Sequence, residues 1–316
     1  TGEVLSTFLY DNNGYGYVGL NSETMNVGGE NDSEASRNLR KGFATLFAAY
    51  RYLCVDSYYG DSANVIEYSI SNCRWAAPQP TDDGYEQAYS VDVDGNPIYT
   101  SDMTDEQRFD AALQAAIGFF QAAGYTWDDA TGTFTAAPDG AKLSYEIIIP
   151  AGGSEDHPAY ILCEYVRSAL ESIGITLVLN NPSDDNVLWN ALDAGTQEMW
   201  AAAWSFSGAD PDMYQTWHSS QVPGAPGSSA SNHAYLIDDE LDSLLMEGRQ
   251  SSDQEYRKAI YKQCLDIIKD WAVEVPYYQR QNGYVMSTER INLDTLTPDM
   301  SPYWNWMEDI QNLEMN

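Results

Sequence analysis

The sequence predicts an α/β protein in which a mixed, mostly parallel sheet is flanked by helices. Helical and strand-like periodicities alternate through the middle of the chain, a succession typical of parallel strands joined by right-handed crossovers. One strand-like segment, residues 199–206, is apolar along its length, as central strands covered on both faces are. With 316 residues and 43% hydrophobic content, the chain can bury a sizeable core.

In the amino-terminal third, residues 15–21 alternate between large and small side chains and predict a strand. Apolar side chains then recur at three- and four-residue spacing from Ser33, which predicts a helix of about four turns that ends near Arg51. Residues 55–103 lack helical periodicity. Within this excursion, alternating segments on either side of an Asp-Gly turn at residues 94–95 predict a β-hairpin.

The rest of the chain alternates helices and strands. Thr104 and Gln107 can cap a helix that Gly124 ends. The later elements follow the same rules of periodicity, and a loop-rich aromatic tail closes the chain. The predicted strands cover residues 143–149, 176–179 and 199–206 and a final strand from 275 toward 285, and the predicted helices cover residues 158–173, 184–194, 237–249 and 253–271.

The apolar segment at residues 199–206 carries the side chains best placed for a ligand. Strand alternation puts large rings on one face, and small side chains on the other face would let a helix approach. Open α/β sheets bind ligands beyond the carboxyl ends of their strands. We therefore expect Trp200 in the core, and Trp204 and Phe206 near a ligand. The ring face comprises Trp200, Ala202, Trp204 and Phe206, and the small face comprises Ala201, Ala203 and Ser205.

The charge of the chain excludes several classes of function. Against 15 Lys and Arg residues stand 48 Asp and Glu residues, a formal net charge of -33. Such a surface repels the phosphates of nucleic acids and the headgroups of anionic lipids. No stretch approaches the roughly 20 apolar residues that span a bilayer. The start, Thr1-Gly2-Glu3, is neither an initiator methionine nor a signal peptide, so we expect a processed form or a piece of a longer protein.

The four cysteines do not indicate a metal site, because they form no C-x-x-C motif and have no histidine at zinc spacing. Cys163 and Cys264 fall on the apolar faces of predicted helices and are expected to be buried. Cys54 and Cys73 could form a disulfide in an exported protein. Four cysteines allow three pairings, however, and the sequence does not choose among them.

No motif for catalysis or for a cofactor occurs. The sequence contains neither a G-x-G-x-x-G nor a P-loop motif, so no nucleotide cofactor is indicated. His157, His218 and His233 lie in loop contexts without a G-x-S-x-G elbow, although a Ser–His–Asp set assembled from distant positions stays open. Asp210 and Asp212 are the acids best placed for chemistry, but a turn and helix cap explains them more simply. We predict no catalytic residue, no cofactor and no metal.

A series of short motifs runs through most of the chain. The motifs are residues 16–21, a Tyr/Gly-rich strand that ends in Asn; 38–44, Asn-Leu-Arg-Lys-Gly-Phe-Ala; 119–125, Phe-Phe-Gln-Ala-Ala-Gly-Tyr; the strand 143–149; 170–175, Leu-Glu-Ser-Ile-Gly-Ile; Trp204 with residues 209–212, Ala-Asp-Pro-Asp; and 275–278, Val-Pro-Tyr-Tyr, after a long helix. In the order and spacing of these motifs the chain resembles the extracellular solute-binding proteins of ABC importers, in the peptide- and nickel-binding group, family 5.

The resemblance covers the second lobe and the C-terminal part of that family, whose proteins have a two-lobed, type II periplasmic-binding-protein-like fold. It implies that residues 1–286 form one ligand-binding lobe, with the excursion at about 55–103, and that residues 287–316 form a tail returning toward the absent first lobe. The first lobe would precede Thr1. The resemblance also implies hinge crossings near residues 19–21 and 285–288, because the chain of such proteins passes between the lobes on strands.

By the same resemblance, the protein is a non-enzymatic receptor that captures an oligopeptide or similar small solute and delivers it to the membrane subunits of an ABC importer. It would lie outside the cell or in the periplasm, with membrane association only through a lipid anchor on the missing N-terminal part. Peptide binders of the family often hold the amino terminus of the ligand with an Asp three residues after the tryptophan that matches Trp204. Ser207 stands there, which leaves room for a blocked peptide or a sugar. The expected ligand-binding residues are Trp204, Ser205, Phe206, Ser207 and Asp210.

The residues by themselves leave two alternative functions open. The 23 Tyr and 9 Trp residues, together with the many acids, also suit a secreted carbohydrate-binding or glycoside-hydrolase domain acting on polysaccharide. Exposed aromatic side chains would suit a structural protein of the cell surface that self-associates. Slow release of reducing sugar or retention on polysaccharide would favour the first alternative, and stable self-association in sedimentation would be typical of the second.

Overall fold

A computed structural model describes residues 2–69 and 75–316 of the chain. None of the helices in these residues combines the length and the apolar character of a membrane span. The strands are β1 Leu5–Asp11, β2 Gly14–Leu20, β3 Ala63–Val65, β4 Thr126–Asp128, β5 Thr133–Ala136, β6 Ser144–Ile148, β7 Thr176–Asn180, β8 Met199–Ser205 and β9 Glu274–Ser287. The α-helices are α1 Glu34–Tyr58, α2 Asp105–Ala122, α3 Pro158–Ser172, α4 Asn186–Ala194, α5 Tyr214–Trp217, α6 Asp239–Arg249 and α7 Gln254–Trp271.

Seven of these strands form one mixed sheet, in the order β1-β9-β2-β8-β6-β7 with β3 beside β9. β6 is parallel to both β7 and β8, because α3 and α4 carry the chain back across the sheet between these strands. β2 and β9 run antiparallel to each other and to their other neighbours. The predicted α/β fold with a mixed sheet flanked by helices is confirmed, and its parallel part is the β8-β6-β7 half, whereas the pairings of β1, β2, β3 and β9 are antiparallel.

Helix α1 lies at the centre of the helical layer and contacts α2, α3 and β9. Ser33, where the predicted periodicity begins, caps the helix by accepting a backbone hydrogen bond. The helix has 25 residues, about seven turns, so the predicted length is wrong. Its buried face continues through Val55, and Arg51, the predicted end, lies inside the helix with its guanidinium donating to the Pro276 carbonyl at 3.1 Å.

The predicted cap of α2 is present. The Thr104 hydroxyl accepts a hydrogen bond from the Gln107 N–H at 3.3 Å, and the Gln107 side chain accepts one from the Thr104 N–H at 2.8 Å. Replacing Thr104 by alanine is expected to lower the free energy of unfolding by about 1 kcal/mol, because the first turn of α2 loses its hydroxyl acceptor. Urea unfolding measures the change. Thr104→Ser, which keeps the hydroxyl, is the control, and equal midpoints for the two variants would contradict this role of the cap.

The hairpin predicted around residues 94–95 is wrong in extent. In the described chain one antiparallel bridge, between Val91 and Pro97, closes this turn. Tyr89 has a φ of 60°, which interrupts an extended strand before the turn, and Pro97 lacks the N–H that a longer ladder needs. The Asp92 carboxylate instead accepts hydrogen bonds from two N–H groups inside the turn, at 3.0 and 2.8 Å.

A strand that the sequence analysis missed, β1, pairs with the outer half of β9 and forms a two-stranded ribbon. Residues 285–288 lie at the outer end of this ribbon, where the Thr288 N–H donates to the Val4 carbonyl at 2.9 Å. Residues 19–21 lie at the opposite end of β9, buried and hydrogen-bonded on both sides. These contacts do not test the hinge crossings expected at residues 19–21 and 285–288, and both stay predictions.

The tail, residues 287–316, folds back on the ribbon. Trp306 packs edge-on against Tyr284 of β9 with the ring centroids 6.0 Å apart, and Met315 forms a bridge with Ile291. Tyr303 reaches across to the loop that follows β8. The division of the chain into a lobe at residues 1–286 and this tail stays a prediction.

The cysteines are buried where the sequence predicted it. Cys163 lies in α3 and Cys264 in α7. Cys54 is buried in α1, and its thiol donates to the Arg51 carbonyl at 3.0 Å. Burial raises the pKa of the Cys54 thiol to about 12, which keeps it protonated and unreactive at neutral pH. Cys73 lies outside the described residues, and so does its possible pairing with Cys54.

Candidate functional site

Six rings gather on one face of β2 and β8, toward the carboxyl end of β8. Tyr15 lies opposite Trp204 in the antiparallel register, so alternate side chains of both strands share this face. The rings contact one another with centroids 5.5 to 6.4 Å apart, the range in which aromatic pairs attract. We call this set the aromatic face; it comprises Tyr15, Tyr17, Trp200, Trp204, Phe206 and His233.

Trp204 is the central ring of the aromatic face and is half-buried. Its indole stacks on Tyr17, with centroids 5.5 Å apart and planes 9° apart, and lies parallel to His233 at 6.4 Å. Trp200 is 2% exposed and belongs to the core, as predicted. Gly19 stands opposite Trp200, and a Cβ at that position would lie 2.3 Å from the indole, so the two strands require glycine there.

Phe206 is also half-buried, 6.1 Å from Tyr15 and 6.3 Å from Trp204 between ring centroids. The predicted ring side of residues 199–206 is thus confirmed. On the other side, Ala203 and Ser205 are exposed, so the predicted approach of a helix there is wrong beyond Ala201. Ala203 and Ser205 are exposed because the neighbouring strand, β6, pairs only with the first two residues of β8.

The outer half of β8 therefore has a free edge. The Phe206 N–H donates to the Asn13 carbonyl at 2.9 Å, and the Asn21 N–H donates to the Glu198 carbonyl at 2.9 Å. These bonds show that even-numbered residues of β8 direct their backbone groups toward β2, so odd-numbered residues direct theirs the other way. In the described residues no strand lies beside Ala203 and Ser205 on that side. We call the backbone of residues 203–205 on this side the open edge.

The open edge exists because β6 cannot continue. The Ile149 N–H turns to the Asn180 carbonyl on the β7 side, at 2.8 Å, and the next residue, Pro150, has no N–H to donate. The chain then leaves the sheet through the loop before α3. Backbone groups of Ala203 and Ser205 are consequently available to an extended ligand.

Glu274, the first residue of β9, lies buried beneath the aromatic face and is 3% exposed. Its carboxylate accepts hydrogen bonds from the Tyr15 hydroxyl at 2.8 Å and from the Trp204 indole N–H at 3.3 Å, with a further bond from the Ser69 hydroxyl. Burial raises the pKa of Glu274 from its usual 4.5 to about 7, although these three donors act in the opposite direction. Glu274 therefore exchanges its proton near neutral pH in the folded protein.

The loop after β8 carries the remaining predicted residues. Ser207 is exposed, and the carbonyls on either side of it are bonded to Asn13 and Tyr303. Asp210 is exposed, and its two carboxylate oxygens accept hydrogen bonds from Arg257 at 2.6 and 2.9 Å. The structure thus brings Trp204, Phe206 and the open edge together, while the Asp210 carboxylate faces α7. A ligand role for Asp210 stays a prediction.

Two concave pockets lie away from the aromatic face. One, of about 530 Å³, is lined by Arg37, Lys41 and Asp270, and the other, of about 630 Å³, runs along α7 and includes Lys258 and Asp82. The basic side chains that line both pockets are paired with acids; Arg37 and Lys41 contact Asp270 at 2.5 Å, and Lys258 contacts Asp82 at 3.2 Å. The aromatic face and the open edge lie outside both pockets, and we place the candidate site there.

One group of Ser, His and Asp side chains tests the hydrolase alternative. The His218 Nδ1 accepts a hydrogen bond from the Ser220 N–H at 3.1 Å and lies 3.7 Å from the Asp242 carboxylate. The Ser219 hydroxyl donates to that carboxylate rather than to the imidazole. A nucleophilic serine needs its proton directed at the base. This group therefore lacks the arrangement of a catalytic triad.

Sequence reasoning missed three residues of the site, Glu274, Asn13 and Tyr303. A signal existed for Glu274, because it is the one charged residue in the apolar run at residues 271–278. Asn13 sits in a polar turn and Tyr303 in an aromatic tail, where neighbouring residues give no hint of their contacts. Tyr15 and Tyr17 stand in the predicted strand, and their alternation indicated a common face.

Comparisons with known proteins agree with this architecture. The sequence model of bacterial extracellular solute-binding proteins, family 5 Middle, matches residues 76–225. A probable D,D-dipeptide-binding periplasmic protein of Escherichia coli strain K12 is 27% identical over 124 residues, which are 39% of this chain and 23% of that protein. The residue-based recognition of family 5 is thereby confirmed.

Solved structures show the same fold. HbpA2 from Haemophilus parasuis is 16% identical, with a TM-score of 0.63 over 99% of this chain and 50% of its own. The oligopeptide-binding protein AppA from Bacillus subtilis, solved with a nonapeptide, is 18% identical, with a TM-score of 0.61 over 99% of this chain and 52% of its own. The chain spans about half the length of these structures, and the predicted fold class, one lobe of a type II periplasmic-binding-protein-like fold, is confirmed.

Proposed function

We propose that this chain, which matches the model of bacterial extracellular solute-binding proteins, family 5, over residues 76–225, forms one side of a cleft that captures an oligopeptide or similar small solute outside the cell. The captured solute passes to the membrane subunits of an ABC importer. The role is binding, without catalysis. We extend the proposal to the whole protein. It includes attachment through a lipid anchor and a location at the cell surface or in the periplasm.

The observation that carries the proposal is the open edge of β8 beside Trp204. Backbone groups of Ala203 and Ser205 point to a side without a neighbouring strand among the described residues, and Ser207 follows in the exposed loop after β8. An extended peptide can pair with such an edge through its main chain, which tolerates varied side chains. Trp204 then walls the ligand and Phe206 lines the cleft. Asp210 remains the weakest member of the predicted set.

The relatives support a peptide more than a sugar. The curated relative is described as binding a D,D-dipeptide, and the Bacillus subtilis structure contains a nonapeptide. Both ligands present the main-chain amides that an open edge recognises. The comparisons give no support to a carbohydrate-binding or glycoside-hydrolase domain.

Replacing Ala203 by proline tests main-chain recognition directly. Proline removes the N–H at the open edge, where the fold does not use it, so we expect at least a tenfold loss of affinity with little loss of stability. The complete gene product is incubated with a randomised tetrapeptide pool, and retained peptides are quantified by mass spectrometry. Maltotetraose is the parallel probe for the carbohydrate alternative.

Ala203→Val is the matched control, because it keeps the N–H and adds only a branched side chain on the exposed side. Equal retention by the proline and valine variants would show that the open edge takes no part in binding. Retention of maltotetraose instead of peptides by the unmodified protein would reverse the choice of ligand class.

A further inference from the structure

The loop that follows β8 is held from two directions. Asn13, in the turn between β1 and β2, is 7% exposed, and its side-chain amide donates to the Phe206 carbonyl at 2.7 Å and to the Gly208 carbonyl at 3.0 Å. Its backbone carbonyl also accepts the Phe206 N–H at 2.9 Å. One side chain thus fixes the residues on both sides of Ser207.

The second direction comes from the tail. The Tyr303 hydroxyl donates to the Gly208 carbonyl at 2.5 Å and contacts the Asn13 amide. Tyr303 lies 95 residues from Gly208 and 290 residues from Asn13 in the sequence, so three distant segments meet at one carbonyl. We call Asn13 and Tyr303 the loop clamp.

We propose that the loop clamp positions Ser207 as the last residue of the open edge and makes the tail a part of the ligand site. The carbonyls of Phe206 and Gly208 are used by the clamp, so Ser207 is left as the loop residue that offers its backbone and hydroxyl to a ligand. The residues 203, 205 and 207 then face one side at a spacing of about 6.6 Å, the repeat of an extended strand.

The clamp also joins the site to the ribbon. Trp306 of the tail packs on Tyr284 of β9, and Tyr284 stacks on Tyr10 of β1 with centroids 5.5 Å apart. A conformational change in the ribbon or the tail is therefore transmitted to the loop through Tyr303. A ligand bound at the open edge affects the tail and the ribbon through the same contacts. This inference rests on the proposed function, because that function makes the open edge a ligand site. The hydrogen bonds by which the clamp holds the loop are present in the protein without a ligand.

The test measures amide hydrogen exchange of residues 207–210 in the complete gene product without ligand, followed by retention of the randomised tetrapeptide pool. Tyr303→Phe removes the hydroxyl and keeps the ring, and we expect exchange in the loop to rise several-fold and peptide affinity to fall three- to tenfold. Asn13→Ala is expected to have the larger effect in both measurements. Exchange in the core helices should not change.

The controls are Tyr165→Phe, an exposed tyrosine of α3, and Asn186→Ala, an exposed asparagine of α4 whose side-chain amide donates to Asp184. Unchanged exchange in the loop of Tyr303→Phe would overturn the proposal, as would faster exchange with unaltered peptide affinity, because the clamp would then not serve the ligand edge. If the unmodified protein retains no peptide while loop exchange responds as expected, the proposed function fails and the hold of the clamp on the loop stands.

Discussion

Replacing Glu274 by glutamine is expected to abolish a loss of about 3 kcal/mol in the free energy of unfolding that the unmodified protein undergoes between pH 4 and pH 8. The folded protein holds the pKa of Glu274 near 7, above its usual 4.5, because the carboxylate is buried. Between these two values the folded state keeps a proton that the unfolded state has released. Stability contributed by this group is therefore full below pH 4.5 and is lost as the pH rises to about 7.

Glutamine removes this dependence because it is neutral at every pH. Its single carbonyl oxygen can accept from the Tyr15 hydroxyl, and its amide group then faces the Trp204 indole N–H, which adds a cost that does not vary with pH. Urea unfolding of both proteins between pH 4 and pH 8 measures the difference. Glu146→Gln, at an exposed position of β6, is the control and should not alter the pH profile. Parallel stability curves for the Glu274 variant and the unmodified protein would show that the carboxylate ionises in the fold as it does in water.

Replacing Trp204 by alanine is expected to weaken ligand binding by about 1–3 kcal/mol, the loss typical of a central aromatic contact. The indole covers Tyr17 and faces His233, and Trp204 stands in β8 between Ala203 and Ser205, whose backbone forms the open edge. Its removal takes away the wall of the cleft and one hydrogen-bond donor to Glu274. Titration calorimetry of the complete gene product, with a peptide recovered from the tetrapeptide pool, measures the loss.

Two further variants separate binding from folding. Trp204→Phe keeps a flat ring without the indole N–H, so it should retain most of the affinity if stacking is the main contribution. Trp189→Ala removes an indole that is 50% exposed on α4 and should leave binding unchanged. Unaltered calorimetric affinity in a folded Trp204→Ala protein would remove this ring from the site.

Local patterns were enough for the middle of the chain. The predicted helices and strands from Thr104 to Trp271 are present because each has its own periodicity and its own end signals, such as the capping box at Thr104 and the left-handed Gly195 after α4. β1 was missed because most of its side chains are only partly buried, which weakens the alternation. The length of α1 was underestimated since its polar residues, Arg51 among them, are buried by distant partners.

The sequence by itself determined the fold class, the family and the strand face on which Trp204 and Phe206 lie, because these depend on residues close together in the chain. Only the tertiary structure decided that β8 has an open edge, that Glu274 lies beneath Trp204, and that Asp210 is bonded to Arg257. Glu274 is 70 residues from Trp204, and Arg257 is 47 residues from Asp210. Hydrogen bonds of this kind carry no local period, and their strength depends on burial that exists only once the sheet has formed.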